Sequence, residues 1–142
     1  MSQSNSPLRT GGCLCGVVRY RFTGEPVAAV HCHCRDCQRV TGSGFATVFG
    51  VESEALVIEG AETLGDFALQ AHTGQTVTRQ FCSHCGSALF TKADNNPGLL
   101  WIKAGSLDES DWLEPTASCW TGSAAAWAPP MQDLEQYSGN PS

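Results

Sequence analysis

The stretch that decides the reading runs His31-Cys32-His33-Cys34-Arg35-Asp36-Cys37-Gln38-Arg39-Val40-Thr41-Gly42-Ser43-Gly44-Phe45. Cys32 and Cys34 stand two residues apart, so an extended chain sets both on one face. Cys37 follows one helical turn after Cys34 and can close onto the same ion. His31 and His33 alternate with the cysteines, and an extended chain turns them to the other face. Zinc takes four ligands at about 2.0 to 2.3 Å, and a site with three protein ligands keeps one position open for chemistry. Cys32, Cys34 and Cys37 are therefore expected to hold a catalytic-type zinc with an open fourth position. Three arrangements compete with this one: closure by His31 or His33, a fourth ligand from Cys119, or pairing shuffled across all the cysteine groups.

Two further pairs lie outward from this segment, in Gly12-Cys13-Leu14-Cys15-Gly16 and Phe81-Cys82-Ser83-His84-Cys85-Gly86. Residues two apart on a strand face the same side, so Cys13 and Cys15 form a donor pair. Gly12 and Gly16 leave room for it. Cys82 and Cys85 form a knuckle-like half-site, and a glycine at 86 can take positive φ and turn backbone N–H groups toward the sulfurs. Together Cys13, Cys15, Cys82 and Cys85 are expected to make a closed structural zinc site that fastens a long loop. Cys119 stands alone in an apolar setting, where a cysteine is usually a small buried hydrophobe. His72 and His84 show no ligand spacing.

The 142 residues fit one domain, and eight of them are cysteine. Disulfides need an oxidising compartment, and the polar start MSQSNSPLRT has no apolar signal region. The expectation is a cytoplasmic protein whose cysteines bind metal. A net charge of −6 argues against a nucleic-acid partner, which needs a basic face. No run approaches the roughly 20 apolar residues that cross a bilayer, so no membrane partner is expected. The termini, residues 1–8 and 140–142, read as flexible, leaving one domain over 9–139.

Glycine and proline cut the chain into short pieces. Strands are predicted at 17–22, 45–51, 56–58, 77–81 and 99–102 from their β-branched, aromatic and apolar content. Helical periodicity is weak, and one short helix is predicted from Arg35 to about Thr41, ended by Gly42. The fold class is mainly β, with short strands, little helix and metal supplementing the core.

These residues together resemble the glutathione-dependent formaldehyde-activating enzyme family, which includes centromere protein V. The match runs through GGCLCGVVRY (11–20), HCHCRDCQRVTGSGF (31–45), FCSHCGSALF (81–90), WIKAGSLD (101–108) and the segment Pro115–Trp127. The resemblance implies a two-sheet β-tent fold that binds zinc. It implies a structural site at Cys13, Cys15, Cys82 and Cys85 and a second, more labile zinc at Cys32, Cys34 and Cys37. It also implies condensation of formaldehyde with glutathione, a carbon–sulfur lyase activity. Two departures stand out. The chain is shorter than the namesake enzyme, and Ser118-Cys119 stands where many members carry His-Ile.

A zinc held by three thiolates is a weak activator of water but a good acceptor for another soft sulfur. The expected substrate is thus a small thiol such as glutathione, held as thiolate and added to an aldehyde. Arg35 and Arg39 could meet a substrate carboxylate, or be solvated surface charges. Asp36 could relay a proton, or cap the helix. The loop Thr41–Gly44 could let substrate backbone approach, or be a simple turn. Two other functions compete: a non-catalytic zinc-stabilised binding module, and a redox or metal-responsive thiol protein.

Overall fold

Short alternating segments pair across the chain into two sheets in the computed structural model, which describes residues 6–140. The smaller sheet is antiparallel and holds β1 (Leu8–Gly12), β2 (Arg19–Thr23) and β5 (Val57–Glu59), in the order β1-β2-β5. The larger sheet holds β3 (Ala28–Cys32), β4 (Ala46–Glu52), β6 (Leu64–Gln70), β7 (Thr76–Cys82), β8 (Ala88–Ala93), β9 (Leu99–Lys103), β10 (Ala117–Cys119) and β11 (Glu135–Gln136). Its order is β11-β10-β3-β4-β9-β8-β7-β6, antiparallel except where β10 runs parallel to both β3 and β11. One helix, α1 (Arg35–Thr41), connects β3 to β4 and ends at Gly42 in the left-handed conformation. The mainly β, two-sheet architecture expected from the sequence is what the chain forms. No helix among the described residues is long and apolar enough to cross a membrane.

The sheets meet through aromatic side chains. On β2, Tyr20 and Phe22 are buried while Arg21 and Thr23 between and beyond them are exposed. Tyr20 meets Phe90 edge-on at 5.6 Å between ring centroids, and Phe22 meets Phe49 at 5.7 Å. Each such pair adds about 0.5–1.5 kcal/mol beyond the area it buries. Phe49, Phe90 and Ile102 are fully buried and define the inward face of the large sheet. Register does the rest: Phe49 pairs with Ala29 and Ile102, and Ile102 pairs with Phe90.

All five predicted strands form within two residues of the expected limits. Leu8, expected in a flexible terminus, opens β1 opposite Thr23. Asn140, placed in the other terminus, accepts a hydrogen bond from the Trp120 indole at 2.8 Å. Both are therefore fastened to the body of the fold. The remainder of those two terminal expectations, residues 1–5 and 141–142, lies outside the described residues. Gly16 is not crowded, as the sequence suggested; it sits at φ 85° in the turn after Cys15 with open space around it.

Crowding falls instead on β1. A Cβ on Gly11 would stand 2.3 Å from the Tyr20 hydroxyl and 2.5 Å from the Ser106 carbonyl oxygen. Gly11 also bridges to Leu107, tying the small sheet to the turn after β9. Nearby, the Tyr20 and Ser106 hydroxyls share a 2.7 Å hydrogen bond. Gly11→Ala should cost about 1–3 kcal/mol by overpacking. Gly105→Ala, whose added methyl meets nothing within 4 Å, should stay within about 0.5 kcal/mol of wild type. Urea unfolding of both variants checks this, and equal costs would refute it.

Candidate metal centres and the cleft beside one of them

Ala29 and His31 share one face of β3, the face on which Ala29 and its partner Phe49 enter the core. Cys32 consequently points to the outer face, opposite Ala46 on one side and Cys119 on the other. The strand stops there. Cys34 lies beyond it, still extended at φ −65° and ψ 154°, and serves as the N-cap of α1. Its sulfur accepts the Cys37 backbone N–H at 3.2 Å. A cap of that kind normally uses an oxygen. Here the same contact neutralises thiolate charge, so the cap is Cys34 and not Asp36. The sulfurs of Cys32, Cys34 and Cys37 all come within 4.8 Å of one another.

Three thiols this close do not ionise alike. Hydrogen bonds from Cys32 and Cys37 hold the Cys34 thiol far below its ordinary pKa. The same contact with Cys34 pushes Cys32 far up. Without a cation the cluster thus carries its charge on Cys34, and a metal ion would have to displace the protons of the others.

Among the described residues the three-sulfur group includes neither histidine nor Cys119. His31 shares a 2.7 Å hydrogen bond with Thr47 and packs on Phe45 at 5.0 Å. His33 is buried against the same ring, with Nδ1 lacking a partner. Cys119, buried and with its thiol pushed up by desolvation, stands outside the three-sulfur group. The substituted pair thus splits: Ser118 is fully buried in register with His31, and Cys119 lies beside Cys32.

The other four sulfurs also converge. Cys13 and Cys15 are 3.6 Å apart, and Cys15 and Cys82 are 3.8 Å apart. Four sulfurs at about 2.3 Å from a tetrahedral ion would stand about 3.8 Å apart, so the spacing fits zinc. Backbone N–H groups of Val18 and Cys85 point at the sulfurs of Cys13 and Cys82, at 3.3 and 3.4 Å. Gly86 has φ 83°, the turn that the knuckle requires. Both clusters could hold a metal ion.

A cleft of about 420 Å³ opens on the three-cysteine cluster. Cys32, Cys34, Arg35 and Asp36 form one wall, and Val77 and Arg79 of β7 form another. Trp120 and Asn140 also line it. Trp120 sits at φ 57°, a costly conformation for a bulky residue, and its N–H donates to the Gly139 carbonyl at 3.1 Å. Arg35 is oriented by donating to the Gln38 side chain. Gln38 is itself buried and donates to the carbonyls of His33 and Ser123, at 2.8 and 3.0 Å. Arg39 does not line this cleft; it lies in the last helical turn, about 6 Å further along the axis, and is exposed. Thr41 lines a different, wider cleft of about 860 Å³ that lies beside Cys13.

Sequence reasoning missed two cations here, Arg79 and Lys103. Arg79 pairs in register with Thr91, and Lys103 donates to the Thr91 hydroxyl at 3.2 Å, so both stand on the outer face with Cys32. Burial lowers the Lys103 pKa, while charge on the three cysteines raises it. Arg79 in turn helps to hold Cys34 ionised.

Residues 8–123 match the family described as glutathione-dependent formaldehyde-activating enzyme. A Halomonas elongata protein provisionally named for that same activity is 33% identical over 112 residues, covering 76% of this chain and 70% of its own length. A crystal structure of a Rhodobacter sphaeroides protein superposes with a TM-score of 0.56 at 23% identity, over 75% of this chain and 91% of that one. That likeness concerns the fold alone. The family match and the Halomonas relative show that the chain belongs to the glutathione-dependent formaldehyde-activating enzyme family.

Proposed function

We propose that this chain binds two zinc ions and acts on the adduct of a small thiol, glutathione or a close relative, with an aldehyde such as formaldehyde. The observation that carries the reading is the convergence of exactly three cysteine sulfurs, with no histidine or fourth cysteine among the described residues, on the wall of an open cleft. Cys13, Cys15, Cys82 and Cys85 would hold the structural ion. Cys32, Cys34 and Cys37 would hold the second. When bound there, zinc supplies a soft acid that favours a substrate sulfur in its thiolate form. The reaction is of the carbon–sulfur lyase type. In one direction the thiol sulfur bonds to the aldehyde carbon and the thiol proton ends on the carbonyl oxygen; in the other, that bond breaks and aldehyde leaves.

The chain's own residues prepare that step. The Cys37 N–H bond to Cys34 fixes one sulfur in place. Lys103, half-buried on the sheet, offsets the negative charge that three thiolates leave after binding a divalent ion. Arg35, oriented by Gln38, offers a donor fork to a substrate carboxylate. Trp120 lines the same cleft. All eight cysteines are free, which suits a reducing compartment such as the cytoplasm.

Native mass spectrometry of the zinc-loaded protein should show two zinc ions per chain. Adding glutathione should give an adduct. Cys34→Ser should keep the fold, retain one zinc and lose both the adduct and thiol-dependent aldehyde turnover. Full turnover in folded Cys34→Ser would sink the reading. Two zinc ions with no adduct and no turnover would favour a non-catalytic module.

Zinc uptake at the second site should also weaken as pH falls. Cys32 is raised, so it is protonated at neutral pH and must lose its proton to bind. Competition with a chelator in Cys82→Ser protein, which leaves this site as the intact one, should show affinity rising with pH between about 6 and 8. A flat profile would contradict it.

A further inference from the structure

The chain has eight basic residues, and they are unevenly used. Arg9, Arg19 and Arg21 are ion-paired with Glu25, Asp108 and Glu59, all on or beside the small sheet. Arg35, Arg79 and Lys103 have no carboxylate partner among the described residues, and all three stand around the three-cysteine cluster. Arg39 and Lys92 likewise lack an ion pair among the described residues, but both are exposed and neither lines the cleft. Arg35 is engaged by Gln38, and Lys103 by Thr91. Arg79 makes no side-chain hydrogen bond among the described residues. Arg79 is half-buried and lines the same cleft as Cys32 and Cys34. A guanidinium with no protein partner keeps its five donors available to a ligand that enters the cleft.

We propose that Arg79 is a specificity-determining residue: it binds a carboxylate of the incoming thiol and selects a carboxylate-bearing thiol over an uncharged one. This rests on the three-cysteine cluster being a thiol-binding centre. Arg79 reaches the cleft from β7, while Arg35 and Asp36 reach it from α1. The sheet wall is therefore cationic and the helix wall carries both signs. A thiol with two carboxylates and one ammonium, as in glutathione, matches that pattern better than a simple anion.

The test is calorimetric titration of zinc-loaded protein with glutathione and with glutathione diethyl ester, whose carboxylates are capped. Wild type should bind glutathione about tenfold or more tightly than the ester. Arg79→Gln should lose that preference and keep its affinity for the ester. Arg79→Lys should recover only part, because an ammonium cannot make the bidentate contact. Arg39→Gln, outside the cleft, should match wild type. Zinc content, measured by atomic emission, should be the same throughout. Equal loss for both ligands in Arg79→Gln would overturn the proposal while leaving the thiol centre intact. So would a wild type that does not distinguish them, a comparison that stands even if Arg79→Gln loses zinc. A wild type that binds neither ligand would refute the thiol centre and the proposal with it.

Discussion

Strand β3 turns alternate residues to opposite faces of the large sheet. Tyr20 and Phe22 of the small sheet pack on Phe90 and Phe49 of the large one, and that contact decides which face of the large sheet is the core. Alternation then leaves no choice: His31 turns inward and Cys32 turns out. The helix starts two residues later with a cysteine as its cap, and Cys37 joins from the first turn. A slip of one residue in β3 would exchange the faces that Cys32 and His31 occupy. The position of the second cluster is thus a consequence of the packing between the sheets.

The outer face of the large sheet supplies the rest. Lys103 from β9 and Arg79 from β7 flank Thr91 of β8, and both influence the three sulfurs. Three thiolates around a divalent ion carry one net negative charge, and two nearby cations offset it in a partly buried place. A protein with a net charge of −6 would otherwise repel an anionic thiol. Arg79 and Lys103 place positive charge beside the three sulfurs. The four-cysteine cluster has a different setting: it joins the turn between β1 and β2 to the turn between β7 and β8, closing a long loop.

Much of this was legible in the sequence because the signals are local. Cysteine spacing identified both clusters, and Gly42 marked the end of α1 at the residue where the chain turns left-handed. The strands β2, β4, β5, β7 and β9 carry enough apolar or aromatic content to be recognised. Others do not. In β1, two of five residues are glycine. β6 is a largely exposed edge strand, and β10 and β11 have only three and two residues. These form because neighbours pair with them, not because their own composition asks for it. Arg79 and Lys103 were invisible for the same reason. They lie more than forty residues from the nearest of Cys32, Cys34 and Cys37 in sequence and reach the site only through the strand order. Arg39 attracted notice by nearness in sequence, and the helix carries it away from the cleft.

The central claim is that one metal centre is closed and the other accepts a thiol. Cadmium-113 NMR of protein loaded with that ion tests it directly, because cadmium takes the place of zinc and its resonance reports the sulfur count at each site. The account predicts two resonances, one indifferent to added glutathione and one that moves toward the first as a fourth sulfur arrives. Two resonances that both stay fixed as glutathione is added would contradict it, since both sites would then be closed.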